Sequence, residues 1–364
     1  MNRRLSIPSL MAQNGVMPGC WSSWRSFVTK PVGDVTVIQK NQAIRFTGKK
    51  QASLVQCDWE TSPLAADEII GRTIVSLISN GSEMGAYMDH SGGMKYPVET
   101  GYAAILEVLE VGEEVTNVRV GEHVLALSPH QAYSRVKFND YIPVPAGMKP
   151  EHAVIGRFPA VSMTSMIHSR IRPTESVMVT GLGIVGLMCA QVMQHCGYEV
   201  YAFDPNEGRR ATAISCGLRH VYTSPDEVPG LKGTPGLAID CSGREEAVYS
   251  LLANLRKGGE LYLVGVPWFR STDKFAHDLL RSIFYGYVQV NSGWEWSLPR
   301  HSSEFHPNSN HGSIRKAMEW IRDGLLKVEN IYDIYAPSAC GEVYAGIADS
   351  TLTKPCVIFD WSLV

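Results

Sequence analysis

The chain has 364 residues, 45% of them hydrophobic and 19% charged, an ordinary balance for a globular protein with room for two cores. A formal net charge of −3 leaves no basic footprint for nucleic acid or an anionic membrane surface. No apolar run approaches the roughly 20 residues that a membrane helix needs.

The first 33 residues hold no acidic side chain but carry Arg3, Arg4, Arg25, Lys30 and several serines, a composition shared with transit peptides. Pro8 and Pro18 interrupt any long amphipathic helix there, so residues 1–41 read as an N-terminal extension and the expected compartment is cytoplasmic. Short β-type runs follow at Ala43–Thr47, Ala52–Gln56, Ile74–Ile78, Ala104–Leu109, Val118–Val120 and Val124–Leu127. Their close spacing and glycine turns predict a compact, barrel-like β domain over 42–164. From Glu151 the texture changes, and helices alternate with buried strands at Val177–Thr180, Val200–Phe203, Leu237–Asp240, Leu261–Val264 and Tyr287–Asn291. That rhythm predicts a doubly wound parallel sheet over 165–298, hence an α/β fold class. Helical periodicity at Ser313–Leu326 and a strand at Cys356–Phe359 then predict that 299–364 returns to the first domain. The eight cysteines form no C-x₂-C pair and read as reduced, packed thiols.

The most specific signal is Gly181-Leu182-Gly183-Ile184-Val185-Gly186, between the apolar run Ser176–Thr180 and a helical stretch. Gly181 permits the tight turn, Gly183 lets backbone approach a pyrophosphate, and Gly186 lets helix and strand pack closely. The helix start offers free N–H groups to phosphate. Asp204 ends the next strand, 204 − 183 = 21 positions beyond the middle glycine, where a carboxylate can take both hydrogens of a ribose diol. A 2′-phosphate would face a like charge there, so the expected cofactor is NAD. Arg209, five positions on, stands within reach of the adenosine side, with a solvated helix-start charge as the alternative.

Further motifs carry a family resemblance. Asn80-Gly81-Ser82-Glu83, Gly101-Tyr102-Ala103, the Val108…Gly112 and Val120-Gly121-Glu122-His123-Val124 segments, Asp240-Cys241-Ser242-Gly243 and Gly258-Gly259…Val264-Gly265 together resemble the medium-chain dehydrogenase/reductase superfamily. The resemblance covers about residues 42–364. It implies a GroES-like catalytic domain, a Rossmann NAD-binding domain contacting cofactor through Ile184, Val185, Cys241, Ser242, Val264 and Gly265, and a homodimer. In the zinc enzymes of this superfamily a cysteine, a histidine and a third residue hold a catalytic metal. Here those places are Asn80, Tyr102 and Ala103, with Arg157 near the third, so the expected metal set is none. The Ser-Asn-Gly-Ser-Glu and Tyr-Pro-x-x-x-Gly-Tyr segments are closest to a zinc-lacking branch that includes bacteriochlorophyllide hydroxyethyl dehydrogenase-like proteins.

Without a metal, protein hydrogen bonds must handle the oxygen of the reacting carbon. The resemblance gives Ser82 the role of proton relay. Tyr102, Glu83 and Asn80 are the other catalytic candidates, as donor, orienting acid or base, and amide donor. The alternatives are a turn cap for Ser82, an arginine pair for Glu83, and simple filling of the vacated pocket for Tyr102. Tyr87, His90, Arg157, Trp294 and Trp296 are expected around a small-molecule substrate pocket. His301, His306, His311 and Glu304 lie in Ser/Asn/Pro-rich sequence with no regular ligand spacing, which predicts a loop. The leading expectation is an NAD-dependent, zinc-independent alcohol dehydrogenase or ketone reductase acting on a polar, carbohydrate-like or biosynthetic intermediate. Enoyl- or quinone-type double-bond reduction and a non-catalytic NAD-binding regulator remain the competing readings.

Overall fold

A computed structural model describes residues 40–60 and 62–364. The segment read as an N-terminal extension, with Cys20, lies outside these residues. The described chain is α/β, built on a β-rich sheet system and a six-stranded parallel sheet. In the seven-stranded sheet Glu68–Leu77 is the hub, pairing antiparallel with Ala103–Val111, Tyr133–Lys137 and the C-terminal strand Cys356–Asp360. Tyr332–Tyr335 extends the sheet beyond that last strand, and a ribbon of Lys40–Gly48, Gln51–Asp58 and Val98–Glu99 stands beside it.

The two-residue period of these strands assigns alternate side chains to different cores. Ala103 and Ile105 enter one hydrophobic cluster, while Ala104, Leu106 and Val108 enter another. Cys356 and Ile358 likewise share the first cluster, whereas Val357 and Phe359 pack with Ile44, Phe46 and Tyr344. Both faces of these strands are therefore covered, which is why their sequences run apolar without clean alternation.

The parallel sheet has the spatial order His220–Tyr222, Glu199–Phe203, Ser176–Thr180, Leu237–Asp240, Glu260–Leu263, Gln289–Ser292. Strand order reverses between Ser176–Thr180 and Leu237–Asp240, so their carboxyl ends diverge into a crevice. Three expected boundaries shift. Val118–Val120 forms no strand. The last parallel strand starts at Gln289 because Tyr287, at φ 54°, ends the Ala276–Gly286 helix in the left-handed region. The late helix runs Asn310–Arg322, started by the Ser309 hydroxyl, which accepts from the Gly312 amide at 3.1 Å.

The helix Asn80–Tyr87 is fixed to the sheet through a buried carboxylate. Glu83 accepts hydrogen bonds from the Ser79 amide (2.7 Å), the Thr100 hydroxyl and the Tyr344 hydroxyl, and lies 3.4 Å from the fully buried His130. His130 in turn bonds Ser76, which accepts from the Trp361 indole at 2.8 Å. Burial pushes the Glu83 carboxyl up, but the charge of His130 and the donors around it outweigh burial and hold it below its ordinary value. Removing the carboxylate strands His130 and three other donors. Glu83→Ala is expected to lower the unfolding free energy by about 3–5 kcal/mol in urea titrations. The wild-type advantage over Glu83→Gln should be full above roughly pH 4.3 and fade as pH falls toward the lowered folded value. A variant as stable as wild type would contradict this structural role.

Candidate functional site

The crevice at the sheet reversal is shaped by its glycines. Gly181 has φ +82°, and a Cβ there would lie 2.7 Å from the Ser242 amide nitrogen. A Cβ on Gly186 would meet the Gly181 carbonyl oxygen at 1.8 Å, so that glycine is demanded by packing. Gly183 is different: a Cβ there meets nothing within 4 Å, and its backbone faces open space. Gly183 also caps the Ile184–His195 helix without any side-chain cap bond, which leaves the first-turn N–H groups free for an anion. The groove is a cavity of about 790 Å³ whose walls include Gly181, Gly183, Asp204, Arg209, Cys241 and Arg244.

Asp204 is buried at the far end of this groove. Its carboxylate accepts from the Leu182 and Asn206 amides, both at 2.8 Å, and Arg209 stands 3.5 Å away. Those bonds tie the glycine turn to the end of the second strand and fix the carboxylate's direction. At the crevice floor, Asp240 accepts from Thr180 (2.9 Å), from the Ser242 amide (3.0 Å) and from the Gly243 amide (3.0 Å). Asp240 thereby shapes the Cys241–Gly243 turn. Cys241 and Ser242 line both this groove and a second cleft, so the two share a wall.

The second cleft has a volume of about 340 Å³ and brings together Asn80, Ser82, Tyr102, Ile184, Val185, Val264, Gly265, Trp294 and Trp296 from the expected sites. Ser82 sits in the first turn of the Asn80–Tyr87 helix. The cap there is Ser79, whose hydroxyl accepts from the Ser82 amide at 3.4 Å and donates to the Ser82 hydroxyl at 3.2 Å. Ser82 is therefore not the turn cap, and its own proton is free to be given to a bound oxygen. The Asn80 amide oxygen is buried and has no hydrogen-bond partner.

Arg157 does not face a substrate pocket, contrary to expectation. Its side chain is 1% exposed and makes a bidentate pair with Glu295, which also accepts from Asn310 at 3.4 Å. The guanidinium lies 4.3 Å from the centroid of the Tyr102 ring and 5.8 Å from that of Trp296. The Tyr102 hydroxyl donates toward Glu295 at 3.4 Å. Burial first, and then the nearby carboxylates Glu295 and Glu83, push the Tyr102 phenol well above its ordinary value despite the opposing Arg157 charge. Tyr102 is thus a proton-bearing donor across the physiological range.

A zinc ion does not fit this donor set. An amide, a phenol and a carboxylate already claimed by a guanidinium replace the thiolate and imidazole ligands such a metal takes. Among the described residues, no three His, Cys, Asp or Glu side chains gather into a metal-holding group. The histidine-rich segment is a loop only in part: His301 and His306 precede the Asn310–Arg322 helix, whereas His311 lies within it. Burial, then the charges of His301 and Arg300, lower the His311 pKa to about 4 and keep that ring neutral.

Three other expected residues point elsewhere. Glu83 and Tyr87, four apart on one helix face, both turn into the core; Tyr87 is 2% exposed and packs on Phe46 and Tyr344. His90 stacks on Trp268, with centroids 5.8 Å apart, outside the cleft lining. Sequence reasoning missed Ser79, Arg244, Trp268, Glu295 and Asn310. A Ser before Asn-Gly-Ser is a cap signal that was available. The Glu295–Arg157 contact spans 138 positions and left no local trace. Gly183→Ala should leave the melting temperature unchanged and weaken dinucleotide binding at least about tenfold by calorimetry, whereas Gly186→Ala should lose about 1–3 kcal/mol of stability or fail to fold. Equal effects of the two would contradict their separate roles.

Comparison with known proteins follows the same geometry. Residues 185–292 match the family described as zinc-binding dehydrogenase. An L-threonine 3-dehydrogenase of Streptomyces coelicolor is 24% identical over 211 residues, 48% of this chain and 62% of that protein. The chain thus spans less than two thirds of that curated relative's length. A zinc-binding dehydrogenase from Sinorhizobium meliloti with bound NADP superposes with TM-score 0.71 at 15% identity, covering 88% of this chain and 99% of that one. A short-chain alcohol dehydrogenase of Escherichia coli in complex with NADH gives TM-score 0.70 at 17% identity, over 89% and 100%. The described chain therefore has the fold of these dehydrogenases, a β-rich part joined to a Rossmann-like parallel sheet, and its residues 185–292 match the zinc-binding dehydrogenase family.

Proposed function

We propose that the chain is an NAD(H)-dependent, zinc-independent alcohol dehydrogenase or ketone reductase of a zinc-lacking branch. The observation that carries this reading is the convergence of Ser82 and Tyr102, both proton donors, on a cleft that shares the Cys241–Ser242 wall with the glycine-turn groove. The nicotinamide supplies the two-electron acceptor or donor. A nicotinamide bound there would take up a hydride in the oxidative direction, so that an alcohol would give a carbonyl, a reduced cofactor and one proton. Ser82 takes the hydroxyl proton and passes it to solvent. In reduction Ser82 and Tyr102 donate toward the oxygen as negative charge grows there. Tyr102 serves as donor in this scheme, not as base, because its phenol is held far from ionisation.

The cofactor would be held by the free N–H groups after Gly183 and by the Cys241–Ser242 turn. The buried Asp204 carboxylate favours a ribose diol over a 2′-phosphate, although Arg209 softens that charge. Relatives in the fold are found with NADP or with NADH, so Asp204 carries the choice. An enoyl-type reductase would have less need of Ser82, and a silent NAD-binding protein would bind NADH without turnover.

For assembly and compartment, a cytoplasmic homodimer is the proposed state. The Ala276–Gly286 helix buries none of its residues, leaving Leu280, Phe284 and Tyr285 exposed, next to the sheet's edge strand Gln289–Ser292. The seven described cysteines are free thiols, in keeping with a reducing compartment, and no helix among the described residues is long and apolar enough to cross a membrane.

Ser82→Ala is expected to cut kcat by about 100- to 1,000-fold, and Tyr102→Phe by about tenfold or more, with NADH affinity little changed. Full turnover in both variants would remove the proposed donors from the mechanism. Asp204→Asn should narrow the preference for NADH over NADPH by about 10- to 100-fold; unchanged selectivity would overturn the ribose-diol assignment.

A further inference from the structure

The cleft beside Ser82 is rich in aromatic side chains. Trp268, Trp294 and Trp296 surround it together with Tyr102 and Phe158, and the side chains of Trp294 and Trp296 stay 61% and 46% exposed. Exposed indoles at the mouth of a concave site are apolar surface held ready for a partner. Trp268 is fixed in place, since its indole N–H donates to the Gly81 carbonyl at 2.8 Å and its ring fills the space above Gly85.

Charge is missing from the same walls. Among the described residues no Lys, Arg or His lines the cleft, and its one carboxylate, Glu295, is neutralised by Arg157 behind it. A carboxylate, phosphate or ammonium on the substrate would enter without a counter-charge, a desolvation cost of several kcal/mol. A polyol fares little better. Ser79 is spent on Ser82, and Ser242 donates to Asp240. Ser82 then serves one carbinol oxygen and takes its proton, and the buried, unpartnered Asn80 amide oxygen offers one further acceptor. Ser292 and Tyr102, whose proton is shared with Glu295, are the other polar side chains left among the described residues, too few for a chain of hydroxyls.

We infer that the substrate is an uncharged secondary carbinol, or its ketone, carrying a flat ring that stacks against Trp294 and Trp296 while the oxygen meets Ser82. This rests on the dehydrogenase reading above and replaces the polar, carbohydrate-like substrate expected from the sequence. The electron balance is unchanged: the carbinol C–H goes as hydride to NAD⁺, and the O–H proton leaves through Ser82.

The test uses the full chain with NAD⁺ and follows NADH absorbance with phenyl methyl carbinol, naphthyl methyl carbinol, cyclohexyl methyl carbinol, sorbitol and L-threonine. Aryl carbinols should exceed sorbitol and threonine in kcat/KM by about 100-fold or more. The saturated cyclohexyl compound should fall below its phenyl counterpart by about threefold or more. Trp294→Ala and Trp296→Ala, at exposed positions that do not endanger folding, should raise KM for the naphthyl carbinol about tenfold with little change in kcat. Sorbitol or threonine turned over as well as the aryl compounds would overturn the substrate class and leave the dehydrogenase reading standing. If no alcohol is turned over, that reading fails, and quenching of tryptophan fluorescence by phenyl methyl ketone in the NADH-loaded protein decides the site separately. Quenching lost in Trp294→Ala supports a stacking site, and no quenching overturns it.

Discussion

The cleft depends on one buried ion pair. Arg157, on the Arg157–His168 helix, and Glu295, just beyond the last parallel strand, meet at the side of the cleft. Two buried opposite charges with bidentate geometry hold together, but either alone would be very costly, so the pair commits three segments to one arrangement. Those segments are the helix carrying Arg157, the Trp294–Trp296 turn, and the start of the Asn310 helix, whose amide also bonds Glu295. The Tyr102 ring lies against the guanidinium, so the phenol's direction follows from the same contact.

The pair also sets the electrostatics. It places a cation beside Tyr102, yet that cation is already satisfied by Glu295 and contributes little net charge to the cleft. What remains facing a substrate is a set of neutral donors and acceptors: the Ser82 hydroxyl, the Tyr102 phenol and the Asn80 amide oxygen. Of these, the donors fixed before the reaction, the Ser82 hydroxyl and the Tyr102 phenol, would stabilise a growing alkoxide without reorganising. The Ser79 cap matters for the same reason, because it satisfies the helix start and leaves Ser82 its proton.

Much of the glycine-turn groove was legible in the sequence, since its information is local. Gly181, Gly183, Gly186 and Asp204 lie within 24 positions, and each has a conformational or charge requirement that no other residue type meets equally well. In the second cleft, motifs in the sequence marked Ser82 and Tyr102, and both line it. Glu83 and Tyr87 were placed at the site because they neighbour Ser82 in sequence. The helical period instead turns them together into the core. Arg157 was assigned to the pocket as an isolated charge, and its partner, 138 positions away, could not be found from spacing. Trp294 and Trp296, which the sequence leaves between cleft wall and packing seam, line the second cleft, whereas Trp268 needed the folded loop to reveal its hold on Gly81.

The central claim is that the oxygen of the reacting carbon is handled by protein protons alone, with a guanidinium–carboxylate pair seated beside them in place of metal ligands. The most direct measurement is the zinc content of protein purified without added metal, paired with turnover before and after exhaustive chelation. The account predicts far less than one zinc per chain and turnover unchanged by chelator. One zinc per chain, whose removal abolishes turnover and whose return restores it, would contradict it.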